Sequence, residues 1–139
     1  MTFDTLGEIS WLGVVVATIV YMVLGALWYG PLFGKTWMRA MGWEGIQAPG
    51  PGPIYAFPAI AYLIASMATA MLAEATASDT VGEGLVLGLV VGIGYAQYMN
   101  LFSVVFDPTE PPSPATVAVV TGLYNLISLV IAAVLVSTL

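Results

Sequence analysis

The segment GALWYGPLFGKTWMR, residues 25–39, decides the fold class of this chain. It closes a long apolar run and carries the only two basic residues of the protein, Lys35 and Arg39. A run of about 20 apolar residues can cross a bilayer as a helix, and aromatic residues such as Trp28 and Tyr29 favour the level of the lipid headgroups. The segment therefore predicts the end of a first transmembrane helix at a membrane surface.

Beyond Pro31, the same segment predicts a short helix that lies on the membrane surface. Proline has no amide hydrogen to donate and disfavours helix at the preceding residue, so the first helix should end or kink there. Residues 35–43 are amphipathic, with Trp37 on the lipid side and Lys35 and Arg39 together on the polar side. The two bases could bind lipid phosphate or an acidic ligand, or they could only anchor the helix and set the topology.

Composition indicates an integral membrane protein. Of the 139 residues, 60% are hydrophobic and 7% are charged, which is too little charge to cover a soluble domain. The absence of cysteine and histidine argues against disulfides, thiol nucleophiles, haem ligation and the usual zinc sites. The formal net charge of −6 argues against a basic surface for nucleic acid. We expect no cofactor, no metal ion and no nucleic-acid partner.

The apolar runs predict one all-α domain, residues 1–139, that forms an integral membrane four-helix bundle with the short interfacial helix after the first span. The predicted spans are residues 10–32, 54–72, 84–106 and 116–138. The predicted connections are residues 44–53, 74–83 and 107–114, which are rich in proline, glycine or acidic residues. The first apolar run is long and follows an acidic start, so we expect a retained helix rather than a cleaved signal.

The third span carries the strongest pattern for helix packing. Small residues recur on one face at four-residue spacing: Gly84, Gly88, Gly92 and Ala96. Such a face lets another helix approach closely, which is how helices associate where lipid supplies no hydrophobic driving force. We expect this face to meet another helix and to join the protein to a second copy or a partner. The alternative is a face that leaves room for a permeant molecule.

Polar residues at membrane depth form a second pattern. Gln97 and Asn100 on the third span and Asn125 on the fourth cannot reach water from inside the bilayer, so we expect them to bond across helices. If the two spans form a hairpin, Asn100 and Asn125 lie within about one turn of each other in depth. The three residues therefore predict a buried polar cluster, which either holds the helices together or marks a functional site.

The distribution of charge predicts the orientation of the chain. Lys35 and Arg39 both lie in the first connection, and no other connection carries a base. Positively charged residues are enriched in cytoplasmic connections. The first and third connections are therefore expected in the cytoplasm, and both termini are expected outside.

These residues resemble a known family. Its opening signature is similar to the run from Gly25 to Tyr29, followed by Pro31, Phe33-Gly34-Lys35 and Trp37-Met38. The last apolar run, with Gly122, Tyr124 and Ser128, resembles its last helix. The family is bacterial and is known only as domain of unknown function 1761. Some members are expected to carry histidine beside that tyrosine, where this chain has Asn125. The resemblance implies a small four-helix protein of the bacterial inner or cell membrane, with no assigned activity, catalytic residues or binding residues.

Three classes of function remain open. The first is a structural or accessory module that packs as a homo-oligomer or complex subunit in the lipid bilayer. The second is a small transporter or channel for a small molecule or ion. Its neutral pathway would be lined by Tyr21, Tyr62, Tyr95, Gln97, Asn100 and Asn125. An enzyme is not expected, because the acids lie at helix ends or in connections and no positioned acid–base pair is evident.

Overall fold

Long apolar helices dominate the chain, as seen in a computed structural model that describes residues 1–47 and 49–139. Within those residues every regular element is helical, which confirms the predicted all-α class. Four helices are long and apolar enough to cross a membrane: Trp11–Leu32, Pro53–Ala75, Val81–Val105 and Pro114–Thr138. Their length and composition indicate a membrane protein. Part of the predicted connection 44–53, Ala48, lies outside the described residues.

The four spans are built from shorter helical segments. A 3-10 turn, Phe3–Gly7, is followed by α1 (Trp11–Leu27), a π-helical turn (Trp28–Leu32) and α2 (Gly34–Met41). The second span combines a 3-10 turn, Pro53–Tyr55, with α3 (Ala56–Ala75). The third span comprises α4 (Val81–Val91), a π-helical turn (Gly92–Ala96) and α5 (Gln97–Val105), and the fourth span is α6 (Pro114–Thr138).

The first span is distorted at Pro31, where the sequence predicted an end or a kink. Gly30 adopts a non-helical conformation, with φ −101° and ψ −107°. The amide of Phe33 donates to the carbonyl of Trp28 at 2.8 Å, a bond one residue longer than in an α-helix. Helix α2 follows at once and ends before Gly42, whose φ of +73° suits glycine. The chain therefore turns from the first span into α2 within a few residues.

The third span begins earlier than predicted, at Val81 instead of Gly84. The hydroxyl of Thr80 accepts from the amide of Glu83 at 3.3 Å, and the Glu83 carboxylate accepts from the amide of Thr80 at 3.1 Å. This reciprocal capping box satisfies free donors at the start of a helix. Glu83, expected in the connection, therefore lies in the first turn of α4. The second span likewise continues further than predicted, to Ala75.

Helix α6 lies at the centre of the fold. It contacts α1, α2, α3, α4 and α5. It is also the most buried of the four spans, at 39% against 28% for the first. Its buried positions include small residues such as Gly122, Ser128 and Ala132. Because these side chains are short, several helices can approach the backbone of α6 at once.

The glycine face of the third span lies against α6 of the same chain. The contacts run antiparallel, pairing Gly84 with Val134, Gly88 with Val130 and Gly92 with Leu126. A methyl group added at Gly88 would lie 2.5 Å from the Cα of Val130, which is too close for real atoms. This face is therefore occupied within the chain. The expectation that it meets another helix is confirmed, and that helix is α6 of the same chain rather than one of a second copy or a partner.

The π-helical turn Gly92–Ala96 changes which residue continues that face. In a regular α-helix, Ala96 would follow Gly92 one turn later, as the spacing predicted. A π-helical turn contains an additional residue. Gln97 consequently faces α6 and donates to the carbonyl of Gly122 at 2.7 Å. Ala96 instead lines a cleft. Contrary to the prediction, it does not extend the face formed by the three glycines.

The first and third connections meet at the same end of the spans. The amide of Ser113 donates to the carbonyl of Ala40, at the end of α2, at 3.1 Å. A methyl group on Gly42 would lie 3.1 Å from the ring of Pro112. Helix α2 is therefore held against the connection that leads into α6, and not only by its link to α1.

Substitution of Gly88 by alanine tests the contact between the third span and α6. We expect Gly88→Ala to lower the free energy of unfolding by about 1–3 kcal/mol, because the added methyl overlaps the backbone of α6. Gly82→Ala is the matched control, since nothing lies within 4 Å of a methyl added there. Alanine at Gly82 should be neutral or stabilising by up to about 1 kcal/mol. Unfolding by SDS in mixed micelles measures the stability of both variants. Equal stability of Gly88→Ala and Gly82→Ala would contradict the close contact between the third span and α6.

Candidate functional site

A cleft of about 440 Å³ is bordered by α1, α3, α5 and α6. Helix α3 packs on α1 and α6 but makes few contacts with the third span, so a gap remains between them. We call this gap the tyrosine cleft and define it by Tyr21, Tyr62, Asn100, Tyr124 and Asn125. Tyr21, Tyr62 and Asn125 lie near the midpoints of their spans. The cleft is therefore at membrane depth.

Aromatic contacts hold the tyrosines of the cleft in place. The rings of Tyr21 and Tyr62 are stacked, with centroids 4.9 Å apart and planes 3° from parallel. Tyr124 meets Tyr62 edge to face at 6.5 Å. The hydroxyl of Tyr124 donates to the backbone carbonyl of Tyr21 at 2.9 Å. These contacts link α1, α3 and α6 at a single level, since each of the three helices supplies one tyrosine.

The hydroxyl of Tyr21 is in a different situation from that of Tyr124. The residue is only 4% exposed, and among the described residues its hydroxyl has no hydrogen-bond partner. A buried polar group without a partner costs free energy, and a bilayer offers no water to replace it. The residue that carries this unpaired hydroxyl lines the tyrosine cleft.

The chemistry of the cleft is neutral throughout its described lining. The remaining polar side chains that line it are Ser103, Thr121 and Ser128. Ser128 is engaged locally, since its hydroxyl donates to the carbonyl of Tyr124 at 2.6 Å. Hydroxyl and amide groups among aromatic rings suit a molecule that is uncharged and forms hydrogen bonds. The lining supplies no opposite charge for an ionic ligand.

The predicted polar cluster is divided by the structure. Asn100 donates to the carbonyl of Ala118 at 2.9 Å, as Gln97 does to that of Gly122, so both amides bond to the backbone of α6. Asn100 and Asn125 line the tyrosine cleft together. The amide of Gln97 also lies against Gly122, next to that of Asn100, but Gln97 lines a separate apolar cavity. The three residues therefore do not surround one site.

Two residues of the predicted pathway lie outside the cleft, and one important residue was missed. Gln97 lines a separate apolar cavity, and Tyr95 is 70% exposed on the outer face of the third span. Tyr124 was not predicted to line the pathway, yet it lines the tyrosine cleft and bonds to the backbone of Tyr21. A signal was present, because Thr121, Tyr124, Asn125 and Ser128 follow the spacing of one helix face.

The residues predicted to mark the membrane surface have different environments. Trp28 is buried at 7% exposure, and its indole Nε1 donates to the carbonyl of Val120 at 3.0 Å. It therefore joins the first span to α6. Tyr29 and Trp37 meet edge to face at 5.3 Å beside the π-helical turn. Lys35 and Arg39 are exposed on α2.

A matched pair of substitutions separates the two buried tyrosine hydroxyls. We expect Tyr124→Phe to lower the free energy of unfolding by about 0.6 kcal/mol, and by no more than about 1.7 kcal/mol, since it removes one bond between helices. Tyr21→Phe removes a hydroxyl without a partner, so it should be neutral or stabilising. SDS unfolding of the two variants provides the comparison. A larger loss for Tyr21→Phe than for Tyr124→Phe would show that the hydroxyl of Tyr21 is bonded within the fold.

Comparison with known proteins identifies the family of the chain but gives no information about its mechanism. A family model described as protein of unknown function (DUF1761) matches residues 12–137. No curated protein and no solved structure matches the chain. The matched region includes all the residues that define the tyrosine cleft, so the cleft lies within the part that characterises the family. The chain belongs to this family of proteins of unknown function.

Proposed function

We propose that this membrane protein binds a small, uncharged, hydrogen-bonding molecule in the tyrosine cleft, as a transporter or channel with a neutral pathway would. The observation that carries the proposal is that Tyr21, a residue that lines the cleft, has a buried hydroxyl with no partner among the described residues. A bound molecule would satisfy this hydroxyl. It would also remove the cost of keeping a polar group unpaired at membrane depth.

The size and lining of the cleft support a small ligand. Its volume of about 440 Å³ is within the range of about 300–1,000 Å³ for small-molecule sites. Such sites usually combine apolar walls with a few polar groups that orient the ligand. Tyr21 and Asn125 would be the orienting groups here, because Asn100 and Tyr124 already donate to backbone carbonyls.

We further propose that the spans form a four-helix bundle in a bacterial inner membrane, with α2 on its surface and both termini outside. Lys35 and Arg39 support the cytoplasmic assignment of the first connection. The bond between Ser113 and Ala40 supports the same side for the third connection. A non-enzymatic role, with no cofactor, remains part of the proposal.

The acid Asp107 has a local structural role rather than a catalytic one. Asp107 lies in the third connection and accepts from both the amide and the hydroxyl of Thr109, at 2.8 and 2.6 Å. The hydrogen bond from the Thr109 hydroxyl is the main reason that the pKa of Asp107 is below its usual value. A carboxylate that is kept ionised in a local turn stabilises the connection and is poorly suited to donate a proton.

The first experiment is native mass spectrometry of protein released gently from its own membranes. We expect a reproducible small-molecule adduct on the wild type, and its loss from Ala61→Leu, because the larger side chain would enter the cleft. Tyr21→Phe should lose the adduct while keeping the stability of the fold. Ala26→Leu is the matched control, since Ala26 is also exposed but lines a different cavity. No adduct, or one that all variants retain, would refute the ligand proposal.

The same measurement tests a second candidate, an accessory subunit or homo-oligomer. Its support is the outer face of the third span, where Tyr95 and Tyr98 are 70% and 61% exposed. A tyrosine hydroxyl that faces lipid at membrane depth favours a protein partner. Masses of several copies, or a fixed complex with another protein, would support this candidate. Recovery as a monomer that carries the adduct would favour the ligand proposal instead.

The orientation is tested by single cysteines, because the chain has none of its own. Asp79→Cys and Glu110→Cys place one exposed thiol in the second and third connections, and each removes one acid. With intact cells, a membrane-impermeant thiol reagent should label position 79 and leave position 110 unlabelled until the cells are opened. Labelling of position 110 alone would reverse the proposed orientation.

A further inference from the structure

An apolar cavity of about 500 Å³ lies beside the bend in the first span. It is lined by α1, the π-helical turn, α2 and the start of the second span. We call it the aromatic cavity and define it by Ala26, Tyr29, Trp37, Tyr55 and Tyr62. It is distinct from the tyrosine cleft, although Tyr62 contributes to the wall of both. Nothing in the proposed function occupies the aromatic cavity.

A second, polar cavity of about 430 Å³ adjoins it at the surface end. The two cavities share Tyr29, Gly30 and Met38 in their walls. The polar cavity is also lined by Lys35 and Arg39, the only bases in a chain with a net charge of −6. An apolar space therefore adjoins the place where the protein concentrates positive charge.

The positive charge is accessible to an anion. Arg39 forms an ion pair with Glu44 at 2.8 Å, but the two side chains are 77% and 64% exposed. Exposed pairs of this kind contribute about 0–1 kcal/mol, so a phosphate can displace the carboxylate. Lys35 is exposed one turn away on the same side of α2. The two cations can thus hold one phosphate group between them.

One residue in the wall of the aromatic cavity carries a hydrogen-bond donor without a partner among the described residues. The indole Nε1 of Trp37 is buried and, among the described residues, has no acceptor. The residue lines the aromatic cavity, next to the polar one. In a glycerophospholipid, ester carbonyls lie just below the phosphate, and a carbonyl is the acceptor that an indole requires. The ligand that fits both cavities therefore has a phosphate, an adjoining carbonyl and an apolar chain.

We propose that these two cavities form a binding site for an anionic phospholipid. Its phosphate lies between Lys35 and Arg39, an ester carbonyl accepts from Trp37, and the upper part of one acyl chain enters the aromatic cavity. A free phosphate would use only the polar cavity and would leave Trp37 unpaired, so the lipid accounts for more of the structure. The site is independent of the ligand proposed for the tyrosine cleft.

The test is native mass spectrometry of delipidated protein in detergent, titrated with phosphatidylglycerol or phosphatidylcholine of the same chain length. We expect tighter binding of phosphatidylglycerol, and about a fivefold loss for each of Lys35→Gln and Arg39→Gln, as expected for a base near an anionic headgroup. Glu44→Gln should have the opposite effect and tighten binding, because it frees Arg39. All three positions are exposed, so the fold should be unaffected.

Three variants, Ala26→Leu, Ala61→Leu and Trp37→Phe, distinguish binding of a lipid from binding of a free phosphate. Ala26→Leu should weaken lipid binding by filling the aromatic cavity, whereas Ala61→Leu, at the tyrosine cleft, should not. Trp37→Phe should weaken it several-fold by removing the indole donor while retaining an aromatic ring. Equal affinity for the two lipids, or no effect of Lys35→Gln and Arg39→Gln, would overturn the proposal. Binding of inorganic phosphate as tight as that of the lipid, unaffected by Ala26→Leu, would also overturn it.

Discussion

The close approach of the third span to α6 is the constraint on which the rest of the structure depends. In lipid, apolar side chains gain little by leaving the solvent, so helices associate through close packing and hydrogen bonds. Gly84, Gly88 and Gly92 allow the third span to lie close against α6. Gly13 does the same for α1, where an added methyl would lie 2.9 Å from the Cα of Val136. Helix α6 can therefore be shared by all its neighbours.

The same helix supplies both the packing and the candidate site, and its polar groups are divided between them. Gln97 and Asn100 are used for structure, because each bonds to a backbone carbonyl of α6. Gly122 makes this arrangement possible, since an added methyl would lie 2.5 Å from the amide oxygen of Gln97. The hydroxyl of Tyr21 has no such use in the described fold. Polar residues at membrane depth thus differ in role according to their partners.

Each of the two π-helical turns borders a cavity. The turn at Trp28–Leu32 places Tyr29 and Gly30 in the walls of the polar and aromatic cavities. The turn at Gly92–Ala96 places Ala96 in the wall of the tyrosine cleft. A widened turn rotates the following residues relative to a regular helix. In both places the irregular backbone therefore brings side chains to a cavity that uniform α-helices would have directed elsewhere.

Composition and the length of the apolar runs were sufficient to predict an all-α membrane protein, because each span must satisfy its own backbone hydrogen bonds. The glycine spacing also showed that the third span meets another helix. Only the tertiary structure decided that this helix is α6 of the same chain. It also separated Gln97 from Asn125 and assembled Tyr21, Tyr62 and Tyr124 from three helices. Periodicity describes one helix at a time, whereas a site between helices depends on their relative rotation, which a single π-helical turn can change.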